Sequence, residues 1–234
     1  MLENAKPSPT HYFLKRLADL GKLKRVYTQN IDDLETAAGL ERVGSVLDAK
    51  AKGGYKRVVQ LHGHLRKLFC GVCRYTTDFS KKVALIFQSE MRDIACPSCE
   101  KANAKRKGKR PRPVGKLQTC VVLQNGGPNP DGALISQFFE ADTRRAPDLL
   151  LIIGTSLEIK AIKNFVTRLV RDMDVPTILM DLESVDFPGS NKIKYHLKGP
   201  CDLFVRHMTG LVSVSEVPSS DLDRYVLLVN DNTR

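Results

Sequence analysis

Apolar residues recur along this chain in two alternating rhythms. Tyr12, Phe13, Leu17 and Leu20 step by three and four, which suits a helix capped by Thr10 and ended at Gly21. The run 26–29 is short and β-prone and empties into polar Asn30 and Asp32; residues 58–61 repeat the arrangement and end at His62 and Gly63. Residues 121–123 predict a strand, 125–130 a Gly/Pro/Asn loop and 135–140 a helix. Leu149–Ile153 is apolar at every position, as expected of a parallel strand buried on both faces, and Gly154-Thr155-Ser156 closes it. A helix over 161–172, a strand over 177–181 and a last short strand near 203–205 complete the series. Beyond Leu211 the pattern predicts no element, and no internal repeat is visible. Strands alternating with helices predict an α/β fold with a parallel, doubly wound sheet.

The alternation breaks between residues 70 and 116. Here lie Cys70-x-x-Cys73 and Cys96-x-x-Cys99, then the basic run 105–113. Two such knuckles supply four thiolates, enough to close a tetrahedral shell around zinc with no position left for water. That makes the site structural rather than catalytic, although the 22 residues between the pairs slightly exceed the usual spacing. The alternative, four buried free cysteines, requires the spacing to be chance. Cys120 and Cys201 have no partner at ligand spacing and read as core or lining residues.

Composition narrows the rest. The 234 residues suffice for one large domain carrying a small module, and 42% hydrophobic with 27% charged residues is a globular balance. The longest dense apolar run, Leu149–Ile153, is far short of the roughly 20 residues that cross a bilayer, and the first residues carry no signal-peptide pattern. The expectation is an intracellular protein without membrane contact, in a reducing compartment that favours metal over disulfide. A net charge of +11 favours acidic partners such as nucleic acid or chromatin. The basic run reads most simply as a solvated, mobile loop; its functional readings are a nuclear-import signal or a phosphate-backbone contact.

Several strand ends carry chemistry. Gln29, Asn30 and Asp32 can hydrogen-bond a ribose or carboxamide, or Asn and Asp can simply cap the segment 33–38. His62 before Gly63 can serve as a base, or as a hydrogen-bonded structural histidine, with His64 close by. Gly154, Thr155 and Ser156 can meet a phosphate or ribose, or form a plain turn; Asp181 can accept ribose hydroxyls.

Taken in order, Tyr27-Thr28-Gln29-Asn30-Ile31-Asp32, His62-Gly63, the two cysteine pairs, Gly154-Thr155-Ser156-Leu157 and Cys201-Asp202 closely resemble the sirtuin family across roughly residues 10–210. Ala38-Gly39-Leu40 and the basic insert resemble its fungal nuclear histone deacetylases. The resemblance implies a Rossmann-like NAD-binding domain over 1–66 and 117–211, a zinc module with the basic loop over 67–116, and a tail over 212–234. It implies NAD as co-substrate, one structural zinc on Cys70, Cys73, Cys96 and Cys99, an acetyl-lysine protein substrate such as histone, and a nuclear location. In that chemistry the acetyl oxygen attacks the nicotinamide ribose, nicotinamide leaves, and a base activates a ribose hydroxyl. His62 matches the base, and Asn30 and Asp32 match the groups that orient nicotinamide and its ribose, with Gln29 nearby. Gly154, Thr155 and Ser156 match the ADP half, Asp181 stands where the family usually has Asn, Cys201 matches an adenine-side contact, and Val121 and Val122 match the acyl-lysine channel.

Two departures stand out. The family's Gly-Ala-Gly-x-Ser pyrophosphate loop is not found before Thr10, so the first βα unit is expected to be absent and its neighbours to expose an unpaired strand edge. The family's aromatic-Gly-Glu turn is replaced here by Leu123-Gln124-Asn125-Gly126-Gly127. Two further readings therefore stand beside the deacetylase: a truncated or non-catalytic chromatin-binding relative, and a zinc-containing nucleic-acid-binding protein.

Overall fold

The computed structural model describes residues 5–43, 57–80, 94–121, 131–211 and 225–229. In chain order these form α1 (Pro9–Asp19), β1 (Leu23–Thr28), α2 (Leu34–Ala37), β2 (Val58–Gln60), β3 (Gly63–Cys70), β4 (Thr76–Asp78), α3 (Pro97–Ala104), β5 (Leu117–Val121), α4 (Gly132–Arg144), β6 (Leu149–Ile153), α5 (Lys160–Thr167), β7 (Thr177–Asp181), β8 (Tyr195–Lys198), α6 (Cys201–Leu211) and β9 (Tyr225–Val229). Six strands make a parallel sheet in the order β2-β1-β9-β6-β7-β8, and three make a small antiparallel sheet, β4-β3-β5.

The continuous apolar run of β6 is explained by its two faces. Leu150 and Ile152 join Tyr27, Val59, Ile162 and Phe165 in one buried cluster. Leu151 and Ile153 join Leu14, Val26, Val58 and Met180 in another. Successive side chains point to opposite faces; residues of α4 and α5 pack on the first face, residues of α1 and α6 on the second. This is the doubly wound arrangement the alternation predicts. On the first face a polar clasp sets the docking of α4: Asp142 accepts from the Tyr27 hydroxyl (2.7 Å) and from Arg25 Nε (2.6 Å). Burial, then the Asp142 carboxylate, keeps the Tyr27 phenol protonated.

Four expectations need correction. The short strand expected near 203–205 is helix: Cys201, Phe204 and Met208 pack on the second cluster at steps of three and four, and the last outer strand is β8 instead. A three-residue apolar run does not separate the two periods. Thr10 is not the cap of α1, which starts at Pro9 behind Ser8. The Thr10 hydroxyl and amide both donate to Asp202 on α6 (2.6 and 2.9 Å), so a carboxylate from another helix serves this N-terminus. Burial opposes ionisation of Asp202, but these donors and Ser8 hold its carboxyl below the usual range.

The strand expected at 121–123 ends at Val121 as part of β5, in the small sheet; 122–130 lie outside the described residues. Last, neither β1 nor β6 exposes an open edge. The segment 225–229, expected to carry no element, lies between them in parallel register, with Thr28 and Ile153 both opposite Val229. A β-prone Tyr-Val-Leu-Leu-Val segment satisfies backbone groups that an open slot would leave unpaired.

Candidate functional site

In a parallel sheet the carboxyl ends of the strands form a shared rim, where ligands of this architecture bind. Here that rim carries Gln29 and Asn30 after β1, Leu61 and His62 after β2, Gly154 and Thr155 after β6, and Asp181 at the end of β7. Two contacts bind these segments together. Gln29 Nε2 donates to the Thr155 hydroxyl (3.3 Å), joining the loop after β1 to the loop after β6. His62 Nδ1 lies 3.1 Å from the Gln29 carbonyl oxygen. A carbonyl only accepts, so Nδ1 carries the hydrogen and Nε2 of the neutral ring keeps its lone pair.

Gly63 explains why His62 is followed by glycine. Its φ is +77°, and a Cβ there would meet the Cys120 carbonyl oxygen at 1.7 Å. Only glycine lets β5 come this close, and that approach pairs Val121 directly with Gly63, beside His62. His64, by contrast, is buried and accepts the Arg66 amide on Nδ1 (3.3 Å), a structural role. Val122 lies outside the described residues.

The loop 29–35 mixes both chemistries anticipated for it. Asp32 accepts the Leu34 amide (3.2 Å) and Asp33, with φ +67°, precedes α2, so acidic residues do cap this turn. Asp33 is also the centre of a buried network that no sequence spacing announces. It accepts from Thr36 (2.7 Å) and Gln60 (3.2 Å) and pairs with Arg66, and Gln60 accepts from Arg42 (3.3 Å). Asn30 and Asp32 stay half-buried at the rim, the amide of Asn30 donating to the Thr28 hydroxyl (3.1 Å). Behind them Glu35 is fully buried. Desolvation raises its pKa to about 7; the nearby Thr28 hydroxyl makes no full hydrogen bond and only partly offsets this.

In the loop after β6 the three candidate residues divide. Thr155 is buried, its hydroxyl taking the Gln29 amide and the Leu157 amide (3.2 Å), whereas Ser156 is exposed and Gly154 has φ +59°. Asp181 accepts the Glu183 amide (3.1 Å) and remains half-exposed; the Cys201 thiol donates to the Met180 carbonyl (3.3 Å). A nearby cleft of about 330 Å³, solvent mouth included, is bounded by Gln60, Gly63, His64, Ile135 and Phe138, and none of the candidate rim residues lines it.

The four cysteines meet as their spacing predicts. Their sulfurs all lie within 4.8 Å of one another, with Cys70 to Cys99 at 3.8 Å and Cys73 to Cys96 at 3.5 Å. A tetrahedral zinc with Zn–S bonds of about 2.3 Å has sulfur-to-sulfur edges of about 3.8 Å, so the donor set fits that ion. Gly115 packs against it so closely that a Cβ would sit 2.4 Å from Cys70 Sγ. The Tyr75 backbone lowers the Cys73 thiol to about 7, while burial pushes Cys96 up to about 12. A bound dication supplies the charge that makes the Cys96 thiolate tolerable.

Comparison with known proteins then places the chain. The Sir2 family model matches residues 1–52 and 45–161. An NAD-dependent protein deacetylase hst4 of Emericella nidulans is 34% identical over 71% of this chain and 27% of its own length. NAD-dependent histone deacetylases HST3 of Candida albicans and Saccharomyces cerevisiae are 32% and 34% identical, over 87% and 86% of this chain and 44% and 47% of theirs. The chain thus spans about a quarter to a half of these relatives. Among solved structures, one of Sir2Tm bound to a propionylated peptide aligns with a TM-score of 0.65 at 20% identity, covering 91% of this chain and 74% of that one. A Sir2 homologue complexed with ADP ribose aligns with a TM-score of 0.62 at 23% identity, covering 91% and 71%. With the family model matching well over half of its length and relatives at 34% identity, the chain belongs to the Sir2 family.

Proposed function

We propose that this chain carries the NAD-dependent protein-lysine deacetylase activity for which its relatives are named, acting on acetylated histone in the nucleus, with chromatin as its setting and one structural zinc. The observation that carries the reading is the His62–Gln29 hydrogen bond, which leaves a basic nitrogen on the strand rim beside Val121. NAD, when bound, supplies a ribose carbon that loses nicotinamide and a hydroxyl that takes up the acyl group. The chain's own residues then divide the work. Asn30 and Asp32 offer an amide and a carboxylate to the nicotinamide end. His62 Nε2 accepts a ribose hydroxyl proton. Val121, with Val122, walls the acyl-lysine. Ser156, Gly154, Asp181 and Cys201 face the ADP half, and Thr155 positions Gln29 rather than touching ligand. Zinc, on Cys70, Cys73, Cys96 and Cys99, holds the module's shape.

Mass spectrometry of the purified chain with NAD and an acetyl-lysine histone peptide tests this. Nicotinamide, O-acetyl-ADP-ribose and deacetylated peptide are expected, and His62→Ala should lose about 10²–10⁴ of the rate with zinc retained. Undiminished turnover in that variant would sink the assignment of the base. A folded, zinc-loaded chain that releases no nicotinamide favours the non-catalytic chromatin-binding reading.

A further inference from the structure

The basic run after the second cysteine pair takes no part in the chemistry above, and its structure differs from the solvated, mobile loop its composition suggests. Residues 101–116 hold eight of the chain's 37 lysines and arginines and no acidic residue. That is most of the net +11 in one short stretch. Lys101, Lys105, Lys107, Lys109, Arg110 and Arg112 are all exposed, and none forms an ion pair with a described residue. Arg106 is half-buried, and its Nε is shielded from water with no hydrogen-bond partner among the described residues.

This charge is held in a fixed shape. Asn103, near the end of α3, donates from Nδ2 to the Arg112 carbonyl (2.7 Å) and accepts the Arg112 amide on Oδ1 (2.9 Å), closing a ten-residue loop with one side chain. Two turns fold its interior, Arg106 amide to Asn103 carbonyl and Lys109 amide to Arg106 carbonyl, both 2.9 Å, with Gly108 at φ +73°. Both ends of the loop are tied to the four-cysteine site. Cys99 lies within α3, and the Gly115 carbonyl accepts the Cys96 amide (2.8 Å).

We propose that the clamped loop 103–112, seated on the four-cysteine site, is a docking surface for the phosphate backbone of double-stranded nucleic acid. Clustered cations without counter-charges match a polymer carrying one negative charge per about 1.7 Å of axis, and binding releases its condensed counterions. The stretch 101–116 contains no aromatic residue, so it has nothing to stack on bases and reads no sequence. An acidic protein groove that takes a basic segment in extended form would have to break both Asn103–Arg112 bonds and both turns. A duplex surface accepts the loop already folded, without that ordering cost.

The inference goes beyond the deacetylase reading and does not depend on it, since its readout needs neither NAD nor turnover. The test is fluorescence anisotropy of a mixed-sequence 25-base-pair DNA duplex with the zinc-loaded full chain, from 50 to 200 mM salt. Six loop cations set a ceiling near −5 for the slope of log affinity against log salt, at about 0.9 per phosphate neutralised. The triple variant Lys105→Gln, Lys107→Gln, Lys109→Gln should reduce the slope by about 2–3 and weaken binding at least tenfold at 100 mM salt. Asn103→Ala leaves every charge in place and should weaken binding several-fold at an unchanged slope. Zinc content and the far-UV circular dichroism spectrum, measured on the same preparations, show that each variant is folded. No duplex binding at 50 mM salt, wild-type affinity in the triple variant, or binding to histone dimer alone would each overturn the proposal. Wild-type affinity in Asn103→Ala would overturn the role of the clamped shape.

Discussion

The parallel sheet and the four-cysteine module are held together by different physics. On one face of the sheet, fifteen buried residues from six strands and helices and the segments between them interlock, and a second cluster backs them. Among the described residues, the buried cluster of the module has five members, and three of those are cysteines. With cysteines making up most of that cluster, metal coordination is expected to supply much of what orders the loops around it. One region should therefore fail gradually as side chains are trimmed, the other all at once as its ion leaves.

The largest effect expected is from Cys96→Ser or a strong chelator. Structural zinc contributes on the order of 10 kcal/mol in small modules, so amide exchange protection over 94–121 should collapse while β1, β6 and β7 keep theirs. Equal protection in the module without zinc would erase the contrast. Next is Leu150→Ala, which opens a cavity in the first sheet cluster and should cost about 2–5 kcal/mol in denaturant unfolding at unchanged zinc content.

The smallest effect concerns pH. Folded Glu35 holds its proton to about 7, above its unfolded value of about 4.3, so the folded state binds more protons between those limits. Its contribution is fully present below about pH 4 and lost as pH rises through 7, where a charged carboxylate remains buried. Glu35→Gln should flatten that decline and be more stable at pH 8 by roughly 3 kcal/mol, read from urea midpoints between pH 5 and 8. Identical pH profiles would show that the carboxyl is ionised or solvated throughout.

The same contrast governs what the sequence discloses. Cys70, Cys73, Cys96 and Cys99 are legible because a ligand set is written in local spacing. Leu149–Ile153 is legible because burial on both faces leaves no polar position, and residues 178–180 carry the same apolar run in the neighbouring strand. The Asp33 network is not legible, since Arg42, Gln60 and Arg66 reach it from separate segments with no shared period. Nor is Asp202 as a partner of α1, 192 residues from Thr10. The 203–205 run and the 225–229 strand fail for different reasons: the first is too short to show its period, and the second is set by pairing with β1 and β6, which no local pattern encodes. At the rim, the motif names Thr155 and Ser156 alike, whereas the fold buries the first and exposes the second.

Strand β3 begins one residue after His62 and ends on Cys70, so one length of backbone joins the rim to the metal site. Eight extended residues make a lever of about 26 Å. The pairing of β3 with β5 shifts register between His64 and Leu68, so the strand is not uniform along its length. The cysteine site and the rim thus stand at the two ends of one strand, with no loop between them.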